Sequence, residues 1–296
     1  MNILITGGTG FLGSSLATSL TDKGHHVYIL TRRPENHEDT NQTTYIGYGH
    51  PADTLPDIQA VVNLAGESLF GYWTNKKKEH IRNSRLEITQ HLIDMFRSMK
   101  HKPSVFVSGS AVGYYGTDDE QIFTEATTEP GSGFLAEVCE EWEATAQQAE
   151  DLGIRTVYTR FGVILGKEGG ALPLMSLPVK LFAGGKIGSG EQWMSWIHKE
   201  DAVRLLEFCL FTRSLEGPVN FTAPRPKRNK DFTKTLASVL KRPYWLPVPS
   251  LLVLTALGEM SQLIRQGQYV YPEKALEHGF TFQFPRAREA LEDINP

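Results

Sequence analysis

Three glycines near the amino terminus, Gly7, Gly10 and Gly13, have the spacing of a turn that holds phosphate groups. The apolar run Ile3 to Ile5 precedes them and a helical pattern follows from Phe11, so the turn joins a strand to a helix. Such glycines allow a tight turn, close approach of backbone N–H groups to a pyrophosphate, and close packing of helix on strand. The alternative is a β–α turn that binds nothing. We predict a dinucleotide-phosphate site formed by Gly7, Thr9, Gly10, Phe11, Leu12 and Gly13.

Two arginines indicate which dinucleotide this turn would bind. The second predicted strand ends at Thr31, and Arg32 and Arg33 follow it where NAD-specific proteins carry an acidic residue. A carboxylate there would repel a 2′-phosphate, whereas a guanidinium can bind it through two hydrogen bonds. The sequence therefore predicts NADP(H) rather than NAD(H). The alternative is a pair of solvated arginines on a loop.

Further candidates for cofactor and substrate contacts stand at the ends of later strands. Asn63-Leu-Ala-Gly66 ends an apolar strand, and the small Ala65 and Gly66 would let the backbone lie against the cofactor. Glu67 adds a carboxylate near the phosphates or the substrate. The predicted cofactor contacts are completed by Leu64, Ser108 and Phe161.

Alternating strand and helix patterns must position these residues. Between the predicted strands lie helical patterns, and near-continuous apolar strands indicate a parallel sheet covered on both faces. We predict an α/β fold, a Rossmann-type doubly wound parallel sheet with a smaller, mostly helical carboxyl-terminal lobe. Ligands would bind at the carboxyl ends of the strands. The predicted NADP-binding domain spans 1–166, with 199–224 returning to it, and the lobe comprises 167–198 and 225–296.

Composition excludes several classes of function. The chain has 296 residues and a net charge of −4, which gives no general attraction to nucleic acid or to anionic membranes. No apolar stretch approaches the roughly 20 residues needed to span a bilayer, and no signal peptide is visible. Only two cysteines are present, so a cytoplasmic protein with free thiols is expected. No cysteine and histidine set has zinc spacing, and no acidic cluster suggests a magnesium site.

The glycine turn, with Thr6 and Thr9, resembles that of the extended short-chain dehydrogenase/reductases, which include nucleotide-sugar epimerases. Ser108-Gly-Ser-Ala-Val-Gly-Tyr-Tyr-Gly116 resembles their serine segment with one residue inserted. The resemblance implies that Ser110 is the catalytic serine, which hydrogen-bonds the substrate oxygen. It also implies a Tyr-x-x-x-Lys pair on the next long helix, where the lysine lowers the pKa of the tyrosine.

The tyrosine–lysine pair is replaced in this chain. Phe134 stands at the tyrosine position and Val138 at the lysine position, and neither side chain transfers a proton. Tyr114 or Tyr115, just after Ser110, would have to supply the proton. Arg85, near the position of the usual asparagine, would stabilise a developing oxyanion.

Nearly the whole chain resembles one atypical extended group described as "epimerase family protein". The resemblance implies an NADP-type Rossmann protein of unassigned substrate, in a group that shares the missing pair. In the segment Gln192-Trp-Met-Ser-Trp-Ile-His198, Trp193 and Trp196 would form a wall that stacks on a substrate ring, unless both belong to the core. Glu67 and Arg85 are the other predicted substrate contacts.

The sequence thus predicts an oxidoreductase or epimerase-like protein with a small polar or sugar-like substrate. It would exist as a monomer or a homodimer. The alternative is a non-catalytic protein that senses NADP(H) through its carboxyl-terminal lobe.

Overall fold

The computed structural model describes residues 1–295, in which strands and helices alternate before a mostly helical carboxyl-terminal part. The strands are β1 (Asn2–Thr6), β2 (His26–Thr31), β3 (Thr43–Gly47), β4 (Ala60–Asn63), β5 (Val105–Ala111), β6 (Ile122–Phe123), β7 (Arg155–Phe161), β8 (Val163–Leu165), β9 (Trp193–Met194), β10 (Trp196–His198), β11 (Gly217–Phe221), β12 (Lys227–Arg228) and β13 (Tyr269–Val270). The helices are α1 (Gly13–Asp22), α2 (Asn75–Ser98), α3 (Phe134–Gln147), α4 (Leu172–Lys180), α5 (Lys199–Phe211), α6 (Asn229–Val239), α7 (Ser250–Leu257), α8 (Gln262–Arg265), α9 (Glu273–Glu277) and α10 (Ala287–Ile294).

The central sheet is parallel and has the strand order β11-β7-β5-β4-β1-β2-β3. The order reverses between β1 and β4, so the carboxyl ends of these two strands flank the crevice where open α/β sheets bind ligands. The predicted doubly wound, Rossmann-like sheet is confirmed. Strand β3 was not predicted, because Thr43 to Gly47 carries only one buried residue, Ile46, and gives no apolar run.

Apolar residues on both faces of the sheet explain its continuous apolar strands. Ile3 and Ile5 pack with Leu16 and Leu20 in one cluster, on the side of α1 and α5. Leu4 packs into a second cluster with side chains of α2 and α3. A strand buried on both faces needs consecutive apolar residues, as Ile3 to Ile5 provide in β1.

The carboxyl-terminal part divides between the sheet and a separate lobe. Strand β11 pairs with β7, and α5 packs against the α1 side of the sheet. Helices α4, α6 and α10 surround a third apolar cluster, which includes Trp196. The side chain of Trp196 is fully buried there, so its predicted role in a substrate wall is wrong. Within residues 1–295, no helix is long and apolar enough to cross a membrane.

Candidate functional site

The glycine turn is shaped so tightly that side chains are excluded from it. Gly7 has a positive φ of 68°, and a Cβ atom there would lie 2.7 Å from the carbonyl carbon of Leu64. A Cβ atom on Gly13 would collide with the carbonyl oxygen of Gly7. Glycine at these positions therefore lets α1 begin directly against the ends of β1 and β4.

The start of α1 presents unused backbone donors to this crevice. The Gly10 N–H donates to the Gly7 carbonyl at 2.9 Å. Within the described chain, the N–H groups of Phe11 and Leu12 donate to no protein acceptor. Free N–H groups at a helix amino terminus are the usual ligands of a pyrophosphate.

Phe11 and Lys199 link the turn to the rest of the molecule. The Phe11 ring packs against the backbone at Gly166, Gly169 and Gly170, just before α4. The Lys199 ammonium lies 5.0 Å from the centre of the same ring. Sequence reasoning missed this cation beside the phosphate turn, because Lys199 lies far along the chain and in no recognised motif.

Arg32 and Arg33 stand exposed immediately after β2. Strand β2 pairs in parallel with β1, so its carboxyl end lies beside the glycine turn. This is the edge at which the adenosine ribose of a bound dinucleotide would lie. The structure therefore brings both guanidinium groups to the predicted edge of the site.

A buried hydrogen-bond chain holds the end of β4 in place. The Thr6 hydroxyl donates to the Asn63 side chain at 2.6 Å, and the Asn63 amide donates to Thr89 at 2.9 Å. The Ala65 N–H donates to the Thr6 hydroxyl at 3.3 Å. These bonds hold Leu64 and Ala65 against the glycine turn, and their predicted contact with a cofactor stays a prediction.

Glu67 and Arg85 lie together behind this loop. The Glu67 carboxylate accepts a hydrogen bond from Lys77 at 2.7 Å, which lowers the pKa of Glu67. The Arg85 guanidinium donates to the backbone carbonyls of Ile81 and Glu67 at 2.8 and 3.2 Å. Burial lowers the pKa of Arg85, and no carboxylate among residues 1–295 lies within 4 Å of its guanidinium. Arg85 is therefore a half-buried cation that retains donors for an anionic group.

Ser110 belongs to a buried ionic network. Its hydroxyl donates to the Glu143 carboxylate at 2.6 Å, and Arg160 binds both carboxylate oxygens at 2.8 Å. Burial lowers the pKa of Arg160, but the hydrogen bonds and the negative charge of Glu143, together with Tyr115, outweigh this effect and raise the pKa. The sequence did not indicate that Glu143 pairs with Ser110, because the two residues are separated by 33 positions.

The structure does not support Tyr114 or Tyr115 as the proton donor. Both side chains are buried, and Arg160 lies 3.5 Å from the centre of the Tyr114 ring. The Tyr114 hydroxyl donates to the Thr128 carbonyl and that of Tyr115 to the Asn220 side chain. Burial raises the pKa of Tyr115 to about 12. These hydroxyls are bound within the protein and do not face the crevice.

Apolar packing surrounds Phe134, at the position where the resemblance implies a tyrosine. Phe134 stands at the first turn of α3 and packs edge-on against Trp73, with 5.6 Å between ring centres. The same cluster includes Met260 and Leu257 of the lobe. Val138 is buried one turn further along α3. Phe134 therefore helps to join the lobe to the sheet domain.

Replacing Val138 by lysine should therefore destabilise the protein rather than restore a catalytic pair. The ammonium group would be buried at a position where valine is only 3% exposed, and we expect a loss of about 3 kcal/mol or more in the free energy of unfolding. Chemical denaturation would measure it. The exposed neighbour provides the control, because Glu137→Lys places the same ammonium at the surface. Its cost should not exceed about 1 kcal/mol, from the lost negative charge at the first turn of α3. A stable V138K protein with gained activity would contradict this interpretation.

Three remaining predicted contacts have side chains engaged elsewhere. Ser108 is fully buried with its hydroxyl turned to the Gly109 carbonyl, so its side chain does not reach a cofactor. Phe161 is half-buried and packs edge-on against Phe221. Trp193 donates to the Asp119 carbonyl, and Arg228 covers one face of its ring at 3.9 Å. That face of Trp193 is therefore closed to a substrate.

Comparison with protein families agrees with this architecture. Residues 3–219 match the model of the NAD dependent epimerase/dehydratase family, and residues 248–294 match a domain of unknown function, DUF1731. Epimerase family protein YfhF of Bacillus subtilis is 47% identical over 298 residues, covering 99% of this chain and 98% of that protein.

Two solved structures extend the comparison. Human epimerase family protein SDR39U1 (isoform 2) with NADPH superposes with a TM-score of 0.90 and 32% identity, over 100% of this chain and 99% of that one. A nucleoside-diphosphate sugar epimerase from Corynebacterium glutamicum has a TM-score of 0.80 and 31% identity, over 99% of this chain and 58% of that one. The similarity to both structures spans the sheet and the lobe.

Proposed function

Since the chain belongs to the NAD dependent epimerase/dehydratase family, we propose that it binds NADP(H) and reduces or oxidises a small carbonyl or alcohol substrate. The observation that carries the cofactor choice is the pair of exposed guanidinium groups, Arg32 and Arg33, directly after β2. The 2′-phosphate of NADP(H) would lie at this edge and bind them by charge-assisted hydrogen bonds.

The turn between β1 and α1 fits the dinucleotide phosphates. Added Cβ atoms at Gly7 and Gly13 would meet backbone atoms, while the N–H groups of Phe11 and Leu12 have no protein acceptor in the described residues. Lys199 adds a positive charge beside Phe11. The bound NADPH in the human SDR39U1 structure supports the same choice for this chain.

Replacing Arg32 by alanine tests the cofactor choice. We expect NADPH affinity to fall about 10- to 100-fold, the value of one or two charge-assisted hydrogen bonds, while NADH affinity changes little. Fluorescence titration of each nucleotide measures both. Arg213→Ala, at an exposed arginine far from the turn in sequence, is the matched control. If the variant lost the same factor of affinity for NADPH and for NADH, Arg32 would not contact the 2′-phosphate.

Arg85 is the group best placed to act on the substrate. When bound, the cofactor supplies or accepts a hydride at C4 of its nicotinamide ring. In the reducing direction the carbonyl π-electron pair moves to oxygen as the hydride adds to carbon. The free N–H donors of Arg85 would stabilise that oxyanion, and a proton from water would complete the alcohol. This route needs no tyrosine, which agrees with the apolar packing around Phe134.

Replacement of Arg85 by methionine tests this role. We expect kcat for NADPH oxidation to fall about 100-fold, the cost of losing one oxyanion donor, with a smaller change in NADPH affinity. Arg82→Met is the control, because Arg82 lies on the same helix but binds the exposed Glu141. Unchanged kcat in R85M would exclude Arg85 from the reaction.

The second candidate is a non-catalytic sensor of NADP(H) status. The bound hydroxyls of Tyr114 and Tyr115 favour it, because the chain then lacks the family's usual proton donor. A panel of carbonyl compounds separates the candidates. A sensor would bind NADPH without oxidising it, and its lobe would change in protease sensitivity on binding.

A further inference from the structure

The mouth of the crevice is bounded by a closed series of contacts. Gly170 packs on Phe11 of the glycine turn and leads into α4. Beyond α4, the Gly184 carbonyl accepts hydrogen bonds from the N–H groups of Trp245 and Leu246 at 2.9 and 3.1 Å. Residues 187 and 248 then form a bridge that leads into α7.

The series closes on the other side of the crevice. Gly258, directly after α7, lies against Tyr72, since a Cβ atom there would stand 2.9 Å from the Tyr72 ring. The Gly71 N–H donates to the Met260 sulfur at 3.2 Å. The loop that contains Tyr72 continues back to Leu64, whose backbone contacts Gly7. The series therefore begins at Phe11 of the glycine turn and returns to Gly7 of the same turn.

Large apolar side chains stand exposed along this boundary. Helix α4 uses Leu172 and Val179 in the core, yet it also exposes leucines on its other face. A helix with apolar residues on both faces is normally buried on both faces. A concentrated patch of exposed apolar side chains usually marks a binding site. We call the following residues, each between 53% and 69% exposed, the apolar rim: Leu177, Leu181, Phe182, Trp245, Leu251 and Leu252.

Apolar character also continues towards the reaction site. Leu257, at the end of α7, belongs to the cluster that holds Phe134 and Trp73. This places apolar surface where related reductases carry a tyrosine and a lysine. Arg85 has no carboxylate partner in the described part of the chain. Its guanidinium could therefore donate hydrogen bonds to one substrate oxygen.

We propose that the substrate is an apolar carbonyl compound, whose hydrocarbon body lies on the apolar rim and whose oxygen binds Arg85. This inference rests on the proposed function and narrows its substrate class. A nucleoside diphosphate sugar carries two charges and many hydroxyls, which require matching donors and cations. Leucine, phenylalanine and tryptophan side chains match a hydrocarbon body instead.

Displacement of a fluorescent probe tests the inference without requiring turnover. The full-length protein, with excess NADP⁺, would be loaded with anilinonaphthalene sulfonate and titrated with 2-ketones from butanone to decanone. Each added methylene should tighten binding about two- to fourfold if it is buried on the rim. UDP-glucose should displace the probe far more weakly than 2-decanone.

Variants of the apolar rim test whether the rim causes the dependence of affinity on chain length. Leu177→Gln and Leu251→Gln should flatten the dependence on chain length, whereas Phe211→Gln, at an exposed aromatic residue on α5, should leave it unchanged. An affinity independent of chain length, or tight binding of UDP-glucose, would overturn the proposal. Sedimentation velocity of the parent protein and of L177Q tests whether a second copy of the chain covers the rim. If the parent protein is a dimer, L177Q is a monomer and the chain-length dependence is unaltered, the proposal would also be overturned.

These outcomes separate the two proposals. A chain-length dependence in binding without NADPH oxidation would support the apolar site and contradict the proposed reaction. Reduction of NADP⁺ by UDP-glucose, or oxidation of NADPH by a nucleotide sugar that carries a ketone, combined with no chain-length dependence, would support the reaction and contradict the apolar substrate.

Discussion

Replacing Gly13 by alanine is expected to weaken NADPH binding by at least about 100-fold. The new Cβ atom would collide with the Gly7 carbonyl oxygen and lie 2.9 Å from the Gly8 Cα atom. Both neighbours are backbone, so the turn and the start of α1 must move apart, and the N–H groups of Phe11 and Leu12 move with them. Fluorescence titration of the folded variant, with circular dichroism to confirm its fold, measures the effect.

The matched control is Gly24→Ala. Gly24 has a positive φ of 81°, but a Cβ atom there would meet no neighbour within 4 Å. Its alanine variant should lose about 1 kcal/mol of stability through backbone strain and retain NADPH affinity. If G13A bound NADPH as tightly as the parent protein, the phosphate site would have to lie elsewhere.

The second large effect concerns the buried pair of Glu143 and Arg160. Glu143→Gln removes the charge that compensates Arg160 and weakens the bond to Ser110. Breaking a buried ion pair by removing one partner leaves an uncompensated charge, and we expect a loss of about 3–5 kcal/mol in the free energy of unfolding. Urea denaturation followed by tryptophan fluorescence measures it.

A more exposed pair, whose glutamate lies on the same helix as Glu143, provides the comparison. Glu141 binds Arg82 through two hydrogen bonds of 2.6 and 2.7 Å, but both side chains reach solvent. Glu141→Gln should therefore cost less than about 1 kcal/mol. Equal effects of E141Q and E143Q would show that the Glu143 network does not carry the stability assigned to it.

Sequence reasoning located the sheet because its strands are apolar on both faces. β1 and β4 are buried along most of their length, and the glycine turn fixes the transition from β1 to α1. Helix α4 was not predicted, since the glycines around it and Pro178 inside it oppose a helical assignment. Tertiary packing against the core of the lobe outweighs those local preferences.

In the candidate site, the sequence revealed the residues of local motifs but not the pairs that form between distant parts of the chain. The glycines, the Asn63 to Gly66 loop and the two arginines each form a contiguous signal. The partners of Ser110 and Tyr115 are set by contacts across 33 and 105 residues, which no spacing reveals. For this reason the sequence offered Tyr114 and Tyr115 as proton donors, and only the fold showed that their hydroxyls are bound.

Calorimetric titration of NADPH, and separately NADH, into the purified protein decides whether the glycine turn binds a dinucleotide and which one it prefers. We expect NADPH to bind at least about tenfold more tightly than NADH, an advantage that weakens as salt screens Arg32 and Arg33. Equal affinities would contradict the assignment of the 2′-phosphate to these arginines. Binding of neither nucleotide would contradict the cofactor site itself, and with it the proposed reaction.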